Sequence, residues 1–221
     1  IYRSTRPDRS GPWSAPVAVS ELNSAAVDLG PCPAPDMLSI ALSSDRLAAG
    51  DLDLFIATRP AVSAPWSQPA LVSELKTSSS DSSPWLHSHL IYFTSDRSGG
   101  PQVYRVGIDG GTPERVTFEG SYNARPRLSP DGSRLAVVTL DRGNYRVGVL
   151  DLDDNDLLIV SRGQQDESPS FAPNSDSLIY ATRQAGNGVL EMVSADGLVR
   201  QRLGSGRGDI REPVWSPFPR Y

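Results

Sequence analysis

His87 and His89 are the chain's only histidines, and they stand two apart in Leu86-His87-Ser88-His89. On an extended segment that spacing puts both rings on one side, which could start a transition-metal site that needs at least one further ligand. Carboxylates would have to complete the set, so we expect no metal and read the pair as turn histidines facing solvent. The acidic run Asp151-Leu152-Asp153-Asp154-Asn155-Asp156 supplies oxygens at the first, third and fifth places of a calcium loop. Asp156 then occupies the place of the loop's glycine, and Arg162 that of its bidentate glutamate. This run is read as a hairpin connection. Cys32 is the single cysteine, which excludes an internal disulfide and reads as a small buried hydrophobe. Trp13 and Trp66 could stack on a sugar or a partner, but they sit in matching Pro-Trp-Ser segments, and that repetition favours packing within the fold. No serine–histidine–acid set, glycine-rich phosphate loop or pair of catalytic carboxylates emerges from the spacing. We therefore expect no enzyme activity and no cofactor.

The elements that would position these residues follow from composition and repetition. The 221 residues include 19 glycines and 19 prolines, with a formal net charge of −5. Such dense punctuation suits many short strands. The acidic balance argues against nucleic-acid partners, and no apolar run nears the roughly 18 residues that span a bilayer. No export signal precedes the strand-like opening Ile1-Tyr2-Arg3. We expect either a removed leader or a longer parent chain.

The repeat itself is explicit. The stretch starting at Ile1, IYRSTRPDRSGPWSAPVAVSEL, matches LFIATRPAVSAPWSQPALVSEL, starting at Leu54, at an offset of 53. Arg6 aligns with Arg59, Trp13 with Trp66 and Leu22 with Leu75. Further along, a proline opens a short extended run at Pro31, Pro84, Pro126, Pro169 and Pro213. A turn such as Ser129-Pro130-Asp131-Gly132 follows, then apolar strands such as LIYFTSDR and LAVVTLDR. Four short strands in about 43 residues, repeated, are the signature of a propeller blade.

The expected fold is an all-β, β-propeller domain spanning residues 1–221, with four-stranded antiparallel blades at about 25–76, 77–120, 121–163 and 164–206. A fifth blade is assembled from 207–221 and 1–24, closing the ring by pairing of the N- and C-terminal strands; six blades are the alternative. Only eight residues follow Pro213 where the complete unit needs 23, so about 14 residues are lacking, and we place them before Ile1. Ser44-Asp45-Arg46, Ser95-Asp96-Arg97 and Asp141-Arg142 recur at one point of the blades. Recurrence points to turn capping by Asp and inter-blade ties by Arg.

From about Asp81 to Phe218 the chain resembles the propeller domain of the TolB family. The carrying stretches are SDRSGGPQVYRVGIDGGTPERVTFEGSYN, ESPSFAPNSDSLIYAT, LEMVSADGLVRQRL and EPVWSPF. Residues 1–76 are more similar to exported members of the wider TolB-like class. The resemblance implies a periplasmic or secreted interaction scaffold whose family partner is a peptidoglycan-associated lipoprotein, bound at one propeller mouth through a Thr-Glu-Pro element. Here the nearest equivalent is Ser82-Ser83-Pro84, without the acid. The family also has six blades and an N-terminal α/β domain, which this chain does not show.

A closed ring offers its loop-built mouth as a recognition surface. The loops entering the innermost strands contain Asp28, Asp81, Asn123, Arg125, Asp166, Glu167, Asp209, Arg211 and Glu212. We expect a protein or peptide partner on this rim, no membrane insertion and a monomer. The alternative is a carbohydrate-active lyase or glycosidase with its site at the same mouth.

Overall fold

The computed structural model describes residues 1–8, 10–184, 186–204 and 208–216. Apart from a short 3-10 turn at Ser73–Leu75, the regular elements are strands. They are β1 (Tyr2–Arg3), β2 (Val17–Ala18), β3 (Asp28–Pro33), β4 (Ser39–Ala48), β5 (Asp51–Thr58), β6 (Ala70–Leu71), β7 (Asp81–His87), β8 (Leu90–Ser95) and β9 (Gln102–Gly107). The rest are β10 (Gly110–Arg115), β11 (Asn123–Leu128), β12 (Arg134–Asp141), β13 (Asn144–Asp151), β14 (Leu157–Ile159), β15 (Asp166–Phe171), β16 (Ser177–Gln184), β17 (Asn187–Ser194) and β18 (Arg200–Arg202).

These pair as four antiparallel meanders, β3–β6, β7–β10, β11–β14 and β15–β18. They fall within the four spans inferred from the proline spacing. The first strands of successive sheets touch one another, β3 with β7, β7 with β11 and β11 with β15. These are the innermost strands, and the sheets are blades of a β-propeller. Strands that are covered on both faces by neighbouring blades need apolar residues on both faces, and LIYFTS of β8 and RLAVVTLD of β12 supply them.

Core residues sort into four clusters, each at a junction between consecutive blades. Cys32, Leu54 and Leu75 of the first blade meet Leu86, Ile91 and Phe93 of the second. Tyr92 and Val103 meet Leu128 and Leu135, and Val147 and Val149 meet Phe171 and Tyr180. The fourth cluster seats Leu22, with Ile1 and Val19, on Ile40, Leu42 and Phe55. The N-terminal segment thus packs on the first blade as a preceding blade would.

The expected closing blade lies only partly among the described residues. The fifth blade is present among the described residues only as the two-stranded β1–β2 sheet, and residues 208–216 form no strand. Among the described residues no ladder joins these ends. Residues 9, 207 and 217–221 of that expected blade lie outside the described residues.

One backbone feature recurs at each unit. The residue before the opening proline is left-handed in all five: Gly30 (φ 57°), Ser83 (54°), Arg125 (56°), Ser168 (55°) and Glu212 (50°). In β3, β7, β11 and β15 the ladder slips at this point, so each innermost strand carries a bulge. A bulge re-aims its side chain. Only Gly30 adopts this φ without steric strain.

Candidate functional site at the propeller mouth

The bulges are anchored from the preceding blade. The Ser83 N–H donates to Ser43 Oγ (3.1 Å) and the Arg125 N–H to Thr94 Oγ1 (3.0 Å). Three positions further along in their units, the Leu86 N–H donates to Cys32 Sγ (3.4 Å) and the Trp215 N–H to Ser170 Oγ (3.1 Å). Residues 212–215 therefore dock on β15 as β7 docks on β3, which places Glu212 in the same row as Arg125 and Ser168.

Arg125 is the hub of that row. Its Nη1 donates to Glu212 Oε1 (2.6 Å) and to Ser168 Oγ (2.8 Å), and lies 3.9 Å from Glu167 Oε2. Arg211 pairs with Asp209 (2.7 Å), whose other oxygen accepts the Gly188 N–H (2.6 Å). Burial would raise the Glu212 carboxyl, but the hydrogen bond and charge of Arg125 outweigh it and hold the group below its usual range. Asp209 is likewise lowered, chiefly by Arg211 and then by the Gly188 N–H. The mouth holds anions already balanced by arginine, a poor setting for a general acid.

Of the nine expected rim residues, Arg125, Glu167, Asp209, Arg211 and Glu212 are the accessible ones. The other four are corrected to interior positions. Asp28, Asp81, Asn123 and Asp166 each begin an innermost strand, three residues before its proline, and fasten blades together. Arg46 Nη2 donates to Asp28 Oδ1 (2.6 Å) and to the Leu22 carbonyl (3.0 Å). Arg97 repeats this on Asp81 (3.0 Å) and the Leu75 carbonyl (3.4 Å). Asn123 Nδ2 donates to Gln102 Oε1 (3.0 Å), and Ser161 Oγ donates to Asp166 Oδ2 (2.5 Å). Burial at the blade junction left these carboxylates and amides to internal partners.

The Ser-Asp-Arg turns act as their recurrence implied in the first two blades. Asp45 accepts the N–H groups of Val27 and Gly50, and Asp96 that of Ser80. Asp141-Arg142 departs from this: Arg142 is exposed at φ 49°, and Asp141 pairs closely with Arg146 (2.9 Å) and only at 3.9 Å with Arg142.

His87 and His89 do not share one side of a strand, since left-handed Ser88 turns the chain between them and His87 pairs with Leu90 across the hairpin. Among the described residues no group of three or more His, Cys, Asp or Glu side chains is placed to hold a metal ion. Asp151–Asp156 joins β13 to β14, with Asp151 and Asp154 accepting backbone N–H groups two residues on. Trp66 is half-buried against the fourth core cluster under the Arg59 guanidinium (4.1 Å from the ring centre). Trp13 carries Arg6 at 4.7 Å but is 61% exposed.

Sequence reasoning passed over Ser168, although its signal was present: it is the pre-proline residue of its unit, as Arg125 and Glu212 are of theirs.

Bulged inner strands, blade-to-blade clamps and a mouth built of pre-proline residues define a β-propeller. The TolB beta propeller domain model matches residues 67–219. The chain belongs to that family. The Tol-Pal system protein TolB of Xanthomonas campestris pv. campestris (strain B100) is 50% identical over 116 residues, 52% of this chain and 26% of that protein. The crystal structure of TolB from Acinetobacter baumannii superposes with a TM-score of 0.75 at 30% identity, over 96% of this chain and 51% of that one. The chain thus spans about a quarter of the Xanthomonas protein and about half of the Acinetobacter chain. An oligogalacturonate lyase in complex with manganese shares the fold alone (TM-score 0.60, 10% identity). No helix among the described residues is long and apolar enough to cross a membrane.

Proposed function

We propose that this chain is a non-enzymatic interaction module of the bacterial cell envelope, acting in the periplasm, with a protein partner seated on the mouth around Arg125. The observation that carries this reading is the Arg125–Glu212–Ser168–Glu167 group. Residues of two innermost strands and the terminal segment converge on one rim through strained backbone, and strain of this kind gathers at functional sites. Half identity to a Tol-Pal component over 116 residues supports an envelope role. The family's acidic pre-proline residue, missing from Ser82-Ser83-Pro84, has a counterpart in Arg211-Glu212-Pro213. An envelope lipoprotein is therefore the partner class to try first. The carbohydrate-active alternative draws no support from the mouth, where both glutamates lie against one arginine rather than facing each other across a cleft.

The test is capture of a purified peptidoglycan-associated lipoprotein, with parent and Arg125→Ala chains at matched concentration. Loss of capture by the variant at an unchanged melting temperature supports the reading. Equal capture by both, or none by the parent, removes it.

A further inference from the structure

Below Arg125 on β11 lies Arg127, whose guanidinium stands 4.9 Å from the ring centre of Trp85 on the adjacent innermost strand β7. Its Nη1 donates to the Pro126 carbonyl (2.8 Å), and none of the ion pairs among the described residues includes it. Burial pulls its pKa down from the usual arginine value. The groups whose charges reach it offer no counter-ion. Glu212 is committed to Arg125. The Cys32 thiol is pushed up by burial and stays neutral at physiological pH. Beside this cation the Trp85 indole Nε1 is buried with no acceptor among the described residues. A half-buried cation whose hydrogen-bond acceptor is a neutral carbonyl, with no counter-ion among the described residues, stands beside a buried donor with no acceptor; both are costly, and a single anion relieves both.

We propose that Arg127 and Trp85 together bind a carboxylate, the acidic side chain of a bound peptide. The guanidinium fork matches the two oxygens of a carboxylate, and the indole N–H supplies a third donor that a neutral side chain would use less well. The inference rests on the peptide-partner reading above and adds the chemistry of the residue that partner must insert.

The probe is N-acetyl-glutamate methylamide, with N-acetyl-glutamine methylamide as its neutral counterpart, titrated into the 15N-labelled full chain. The Trp85 indole N–H signal, assigned by its loss in Trp85→Phe, reports binding. The glutamate probe should move it, while the glutamine probe or the Arg127→Gln chain should require about tenfold more ligand or more, as for a lost charge-assisted pair. Arg127→Lys keeps the charge without the fork and should fall between them; it serves if Arg127→Gln does not fold. No movement, equal movement with both probes, or tighter binding of galacturonate than of the peptide probe overturns the proposal. Lipoprotein capture is read separately: probe binding with normal capture by Arg125→Ala removes the earlier reading alone, and the reverse removes this one alone.

Discussion

Arg125 and Glu212 are 87 residues apart in sequence and 2.6 Å apart in space. That bond ties the segment after the fourth blade to the third blade's innermost strand, across the row of left-handed residues at the mouth. Both side chains remain partly exposed, so the pair orders the rim more than it stabilises the fold.

Glu212→Gln should therefore leave the melting temperature close to the parent's, within about 0.5 kcal/mol of stability, as for surface changes away from caps. Partner capture should fall with it. Thermal melts beside a pull-down check both halves, and a large drop in melting temperature would recast the pair as scaffold.

Asp166→Ala should do the opposite. Its buried carboxylate accepts from Ser161 Oγ and from the Gly163 N–H, and truncation leaves those donors unpaired at roughly 1–3 kcal/mol. Asp96→Ala, which frees only the exposed Ser80 N–H, should cost about 1 kcal/mol or less. Urea denaturation of the two variants gives the order.

Acid should unfasten the first clamp in a defined window. Burial alone would raise the Asp28 carboxyl, but hydrogen bonds from the Ser24 N–H, Arg46 and two serine hydroxyls bring it down to about 2. A folded pKa below the unfolded value means stability that is full above the ordinary value of 3.8 and lost as pH falls toward 2. The stability gap between the parent and Asp28→Asn should be widest above that window and close through it. A gap that does not change with pH would discard the assignment.

The two Arg–Trp stacks, equivalent in sequence, should differ in worth. Trp66→Ala removes a half-buried ring from the core cluster that joins the N-terminal segment to the first blade, and should cost about 2 kcal/mol or more. Trp13→Ala touches an exposed ring and should cost about 1 kcal/mol at most. Melts of the two single variants decide it.

Blade periodicity was legible because each unit repeats its proline, its turn and its apolar pairs, and local repetition survives in the sequence unaltered. The Arg46 and Arg97 ties were legible for the same reason. What was not legible is which polar residues of the entering loops face water. Asp166 and Glu167 are neighbours in sequence, yet one is sealed in a blade junction and the other opens on the mouth. Neighbouring strand residues face opposite sides, and which side a blade junction seals is decided by packing between distant segments, which leaves no compositional trace.

The left-handed pre-proline row has a consequence for how such a surface changes over time. At each unit the backbone posture is imposed by the proline, the bulge and neighbouring blades, while the occupant is free to be Gly30, Ser83, Arg125, Ser168 or Glu212. Because the posture already disfavours every residue but glycine, exchanging one non-glycine occupant for another adds little new strain. The ring thus works as a set of interchangeable sockets at a fixed pitch, in which a lineage can rewrite what its mouth prefers by single replacements, without renegotiating the architecture that holds them.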